Sequence, residues 1–118
     1  MVRKLHLLMA AVLVALAGAC GSSSANKPQP AAAPPPNLGA TVILKDIVFI
    51  PSTVTIRAGQ AVWWKWDDGS VPHNVTADTW QSLTQEHGTY AHTFDAAGTF
   101  QYRCTIHSGM TGKVIVTP

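Results

Sequence analysis

Charge is scarce in this chain: only 12% of its 118 residues are Asp, Glu, Lys or Arg, and no cluster of Lys and Arg forms the patch a nucleic-acid partner would need. Cysteine is scarcer, with Cys20 and Cys104 alone, which excludes the dense disulfide framework that staples many small secreted folds. It also excludes any metal centre that needs two cysteines in one loop. The longest apolar run, Leu5 to Ala17, contains His6 and falls short of the ~20 residues a spanning helix requires. Helical periodicity is missing throughout, apart from a weak trace around Asp78 to His87.

What is present begins with an address. Arg3 and Lys4 precede the apolar run, and small residues lead up to Cys20, so residues 1–19 read as a secretory signal. Leu16-Ala17-Gly18-Ala19-Cys20 resembles the bacterial lipobox, in which the cysteine is lipidated after cleavage, although Ala17 stands where Leu is common. Ala17-Gly18-Ala19 also fits ordinary signal cleavage, which would release a soluble protein. Residues 20–39, rich in Pro, Ala and Ser, read as a tether that cannot bury enough apolar surface to fold. One domain is left, residues 40–118. Without Arg3 and Lys4 the mature chain carries six basic residues (Lys27, Lys45, Arg57, Lys65, Arg103, Lys113) against six acidic ones and is formally neutral.

Short β-rich segments recur along that domain: Thr41 to Phe49, Thr53 to Arg57, Ala61 to Trp66, His73 to Thr76, Tyr90 to Phe94, Thr99 to Cys104 and Lys113 to Thr117. Ala58-Gly59, Asp67-Asp68-Gly69-Ser70 and Ala96-Ala97-Gly98 supply turns. This spacing predicts an all-β sandwich. Alternation puts Val62, Trp64 and Trp66 on one face of a strand and Trp63 with Lys65 on the other. The first three read as core; an outward Trp63 leaves a relay or docking role open.

The chemistry concentrates in Cys104-Thr105-Ile106-His107-Ser108-Gly109-Met110, which follows a strand, and in His73 upstream. A thiolate, two imidazoles and a thioether form a soft nitrogen and sulfur set, and two His and one Cys with a distant Met suit copper that transfers electrons. A loop that starts at Cys, with His and Met three and six positions on, can converge three side chains from one turn, and His73 then closes the site. The plainer readings are a buried apolar Cys104, a disulfide with Cys20, or zinc, although structural zinc sites seldom use thioether. Met1 and Met9 belong to the leader, so Met110 is the single methionine of the mature chain. His87 and His92 lie in polar or alternating segments and read as solvated or internally satisfied imidazoles, with accessory copper binding as the alternative.

The domain resembles the cupredoxins, in particular single-domain members of amicyanin and plastocyanin type. The likeness rests on Phe49-x-Pro51, Val54-x-Ile56-x-Ala58-Gly59, Pro72-His73-Asn74-Val75, Gly98-Thr99-Phe100-x-Tyr102-x-Cys104 and Gly112-Lys113-Val114-x-Val116, besides the Cys-x-x-His-x-x-Met loop. The resemblance implies an antiparallel Greek-key β-sandwich, one copper ion cycling between Cu(II) and Cu(I), His73, Cys104 and His107 as strong ligands, and Met110 as the axial one. It implies that Asn74 ties the two ligand-bearing loops together and shields the sulfur. This loop departs from the amicyanin pattern at Ile106 and at Ser108-Gly109, where proline and Pro-Phe are usual. A backbone N–H at Ile106 is expected to donate to the Cys104 sulfur and to raise the reduction potential.

The expected function is single-electron transfer in the bacterial cell envelope by a monomer. It would meet redox partner proteins transiently and be held to the membrane through Cys20, with the His107 edge as the electron exit. The rival is a protein that stores copper or passes it to an apo-enzyme, which would favour exposed Met and His clusters. An enzyme is not expected, because a second copper site needs several more imidazoles than His87 and His92 provide.

Overall fold

The computed structural model describes residues 31–118; the expected signal segment 1–19, Cys20 and the first part of the tether lie outside the described residues. Seven strands are present: β1 (Leu38–Lys45), β2 (Val48–Ile50), β3 (Thr53–Arg57), β4 (Gln60–Trp66), β5 (Thr89–Phe94), β6 (Gly98–Arg103) and β7 (Thr111–Thr117). They form a four-stranded sheet in the order β2-β1-β4-β5 and a three-stranded sheet in the order β3-β7-β6. The all-β sandwich expected from the turn spacing is therefore present. Its strands are not all antiparallel: β1 runs parallel to β4, and β3 runs parallel to β7.

The tether's end is already attached to the first sheet. Asn37 donates from its side chain to Gly59 O at 3.0 Å and to Thr93 Oγ1 at 3.1 Å, and Ala61 N–H donates to Asn37 O at 2.9 Å. The continuous strand expected over Thr41 to Phe49 is instead a hairpin that reverses at Asp46 and Ile47, with φ of 53° and 59°. Positive φ at both central residues matches the twist of a two-residue hairpin. For a β-branched residue such as Ile47 that conformation costs about 1–2 kcal/mol, so something must hold it. Asp68 does so, accepting the Ile47 N–H at 3.1 Å.

The core follows the period-two reading of β4. Val62, Trp64 and Trp66 are buried, Trp63 is half-buried, and Lys65 is exposed with its Nζ 5.1 Å above the Trp63 ring. Trp64 meets Tyr102 edge-on at 5.3 Å and lies 5.6 Å from Trp80 and 5.7 Å from Tyr90. Tyr102 in turn lies opposite Gly112, where a Cβ would collide with its ring and hydroxyl. That close approach, rather than a turn, accounts for glycine at this position.

Burial pushes the Tyr102 hydroxyl up to about 12, weakly opposed by the Trp64 indole. An unfolded phenol titrates near 10, so the folded form holds its proton longer. The stability this represents is complete below about pH 10 and is lost as the pH rises from about 10 to about 12, on the order of 2–3 kcal/mol. Tyr102→Phe should flatten that part of the profile, as read by denaturant unfolding from about pH 9 to about pH 12.

Candidate metal centre

Two connections bring the sequence-predicted residues together. The segment 73–76 makes isolated bridges rather than the expected strand, because its neighbours change along its length. His73 exchanges backbone hydrogen bonds with Gln85 at 2.9 and 3.0 Å, while Thr76 exchanges them with Arg103 at 2.8 and 2.9 Å. Since Arg103 directly precedes Cys104, this stitching places His73 beside the end of β6. The Trp66 indole also donates to His73 O at 3.0 Å, which fixes the backbone from the core side.

The Cys104–Met110 loop closes on itself. Cys104 N–H donates to Met110 O at 2.9 Å, and Arg103 and Thr111 face each other across the β6–β7 ladder. Gly109, at φ 80°, takes the left-handed turn that returns the chain to β7, a conformation favouring glycine. Met110 is 1% exposed at the foot of this loop, and Cys104 is buried.

The donor atoms converge. His73 Nδ1 lies 3.1 Å from His107 Nδ1, which lies 3.6 Å from Cys104 Sγ, and all three ligand atoms fall within 4.8 Å of one another. Nitrogens about 2.0–2.1 Å and a sulfur about 2.3 Å from a shared ion must be separated by roughly 3–4 Å, which the 3.1 and 3.6 Å spacings satisfy. His73 is fully buried, whereas His107 is partly exposed.

Asn74 bonds to both loops. Its Oδ1 accepts from Thr105 N–H at 2.9 Å and from the Thr76 hydroxyl at 3.0 Å, and its Nδ2 donates to Thr105 Oγ1 at 2.7 Å and Thr84 Oγ1 at 2.9 Å. Sequence reasoning missed Asp68, which it assigned to a turn. Asp68 Oδ2 lies 2.8 Å from His73 Nε2. That hydrogen bond holds the Asp68 carboxyl below its ordinary range, with the Ile47 and Asp46 N–H groups adding to the effect and burial opposing it. The only available signal was a carboxylate five residues before a candidate ligand, which turns commonly contain.

The family model described as copper binding proteins, plastocyanin/azurin family, matches residues 38–117. The chain belongs to the cupredoxins. Amicyanin from Paracoccus versutus is 38% identical to this cupredoxin over 96 residues, covering 73% of this chain and 70% of that protein. Chloroplastic plastocyanin from Tetradesmus obliquus is 39% identical over 85 residues, covering 59% of each. Among solved structures, a purple cupredoxin from Nitrosopumilus maritimus matches with a TM-score of 0.62 at 26% identity, over 66% of this chain and 99% of its own. An amicyanin mutant in its Cu(I) form matches with a TM-score of 0.67 at 25% identity, over 80% and 95%. Copper is the cofactor of this cupredoxin, and the donor set His73, Cys104 and His107 fits it.

The remaining residues divide clearly. His87 is exposed beside Glu86, and His92 stacks on Trp80 at 4.7 Å and meets Phe94 edge-on at 4.8 Å, so neither joins the donor group among the described residues. Burial lowers the pKa of His92, with Asp95 opposing. Ile106 is exposed beside His107 in the loop. Among the described residues its N–H makes no hydrogen bond to the Cys104 sulfur, whose polar contact is with His107.

Proposed function

We propose that this cupredoxin carries single electrons between proteins of the bacterial cell envelope, with His73, Cys104, His107 and Met110 as its copper ligands. The observation that carries the reading is the convergence of two imidazole Nδ1 atoms and one sulfur within 4.8 Å, where His73 and Cys104 are closed off from water. When bound, copper supplies the one-electron Cu(II)/Cu(I) couple. The chain offers both oxidation states one set of donor positions, because Asn74 fixes the loops against each other and the Thr76–Arg103 bonds fix the strand end. Cys104 would supply the anionic donor, His73 and His107 the neutral nitrogens, and Met110 a weak thioether sulfur. The His107 ring turns Nδ1 inward and is partly exposed, which makes its outer edge the exit for electrons towards transient partners.

A carrier needs no second site, and no other group of three His, Cys, Asp or Glu side chains gathers among the described residues. This fits a carrier better than an enzyme that needs a second metal site. Burial of three of the four donors also disfavours copper storage or delivery, which needs ligands that exchange readily. The Arg3-Lys4 leader, Cys20 and the Pro-rich tether support export and lipid anchoring on the outer side of the cell membrane.

Loading the protein with Cu(II) tests the reading. Intense blue absorption, narrow parallel copper hyperfine splitting and reversible one-electron reduction are expected; a weak, tetragonal spectrum would overturn it in favour of storage. Mass spectrometry of the native N-terminus should find an acylated Cys20.

A further inference from the structure

The turn Asp67-Asp68-Gly69-Ser70 carries two adjacent carboxylates with opposite environments. The Asp67 side chain is 70% exposed and reaches Lys45 at 3.9 Å, an ordinary surface pair. The Asp68 side chain is only 14% exposed and faces the His73 ring at 2.8 Å. An ionised carboxylate is an acceptor only, so the proton in this hydrogen bond sits on His73 Nε2. The same Oδ2 also accepts the Ile47 N–H, which holds it from a second side. No Lys or Arg pairs with Asp68 among the described residues, so its charge is not neutralised locally.

We infer that Asp68 is a positioning residue for the metal centre, one that locks His73 with Nε2–H outward and Nδ1 free for the ion and biases the site towards Cu(II). The inference rests on the copper-ligand reading of His73. Its first half is a matter of tautomers: with the proton held on Nε2, the Nδ1 lone pair faces His107 Nδ1 and Cys104 Sγ, where the donor set converges. A fully buried ring nitrogen without an acceptor would instead turn or exchange its proton for the other tautomer. The second half is electrostatic. A negative charge one imidazole away from the ion stabilises the more highly charged oxidation state, and a ring that donates to a carboxylate is a stronger donor. The hairpin tip shares in this arrangement, because the strained Ile47 conformation and the orientation of the metal ligand depend on one oxygen atom.

Asp68→Asn and Asp68→Ala in the full chain test both halves. In the copper-free wild type, nitrogen NMR of His73 should show a slowly exchanging Nε2 proton and an unprotonated Nδ1. Asp68→Asn keeps an acceptor oxygen and should keep that signature. Its Cu(II)-to-Cu(I) affinity ratio should fall about tenfold, equivalent to a rise in reduction potential of about 59 mV. Asp68→Ala should lose the protected proton and bind copper about 10–100-fold more weakly. An Nδ1-protonated His73 in the wild type, or an unchanged or lowered potential in Asp68→Asn, overturns the inference. If the wild type fails to form a blue centre while the Nε2 signature is present and is lost in Asp68→Ala, the positioning role stands and the carrier reading falls.

Discussion

Replacing Cys104 with Ala should abolish the blue colour and weaken copper binding by at least about 10³-fold, or some 4 kcal/mol. The sulfur is the only anionic donor in the cluster, 3.6 Å from His107 Nδ1, and without it two neutral imidazoles and a buried methionine face the ion. Such a set has no covalent, charge-donating partner, so what copper it retains should give a weak, tetragonal spectrum. The fold should survive, because the Cys104 side chain is small and its backbone N–H remains bonded to Met110 O at 2.9 Å. A far-ultraviolet circular dichroism spectrum matching the wild type, together with titration of Cu(II), checks both parts. A Cys104→Ala protein that stays intensely blue would remove the sulfur from the site.

Trp64→Ala should produce the largest loss of stability. The side chain is fully buried and packs against Trp80, Tyr90 and Tyr102 at ring separations of 5.6, 5.7 and 5.3 Å. Deleting a buried tryptophan removes about 3–5 kcal/mol, through lost burial and the cavity left behind. A domain of this size has on the order of 5–10 kcal/mol in all, so the copper-free variant should lose about half of its stability and melt well below the wild type. Copper at about 1,000 times its dissociation constant contributes about 4 kcal/mol to the folded state and should offset most of that loss. Thermal melts with and without copper read this directly. Trp63→Ala should cost less than about 1 kcal/mol, because that ring is half-buried and its described cation–π contact is with Lys65. Equal losses for the two tryptophans would contradict the assignment of faces on β4.

The contrast between Trp63 and Trp64 also shows what was legible in advance. Successive side chains of a strand point to opposite faces, so the alternation of β4 could be read from order alone. The hairpin at Asp46 and Ile47 could not, because its two central residues include no glycine or asparagine and one of them is β-branched; their φ of 53° and 59° come from pairing Lys45 with Val48 and from Asp68. The weak helical trace over Asp78 to His87 failed for a related reason. That stretch belongs to a long connection held by bridges from Thr76 to Gln81 and from His73 to Gln85, which satisfy its backbone without a helical turn.

By itself the amino-acid order determined the all-β class, the inward face of β4 and the donor types of the metal centre. Each of these depends on short-range spacing: two residues for a strand face, three and six for the loop from Cys104 to Met110. Tertiary structure alone decided that β1 lies parallel to β4 and β3 parallel to β7, that Thr76 meets Arg103, and that Asp68 rather than Asp67 turns towards His73. Backbone hydrogen bonds are blind to side-chain identity, and a carboxylate in a turn is chemically the same whether it faces water or a buried ring. Only the pairing of β1 with β4, which sets the hairpin tip at residue 47 beside the turn at residue 68 and brings both to His73 through one oxygen atom, separates the two cases.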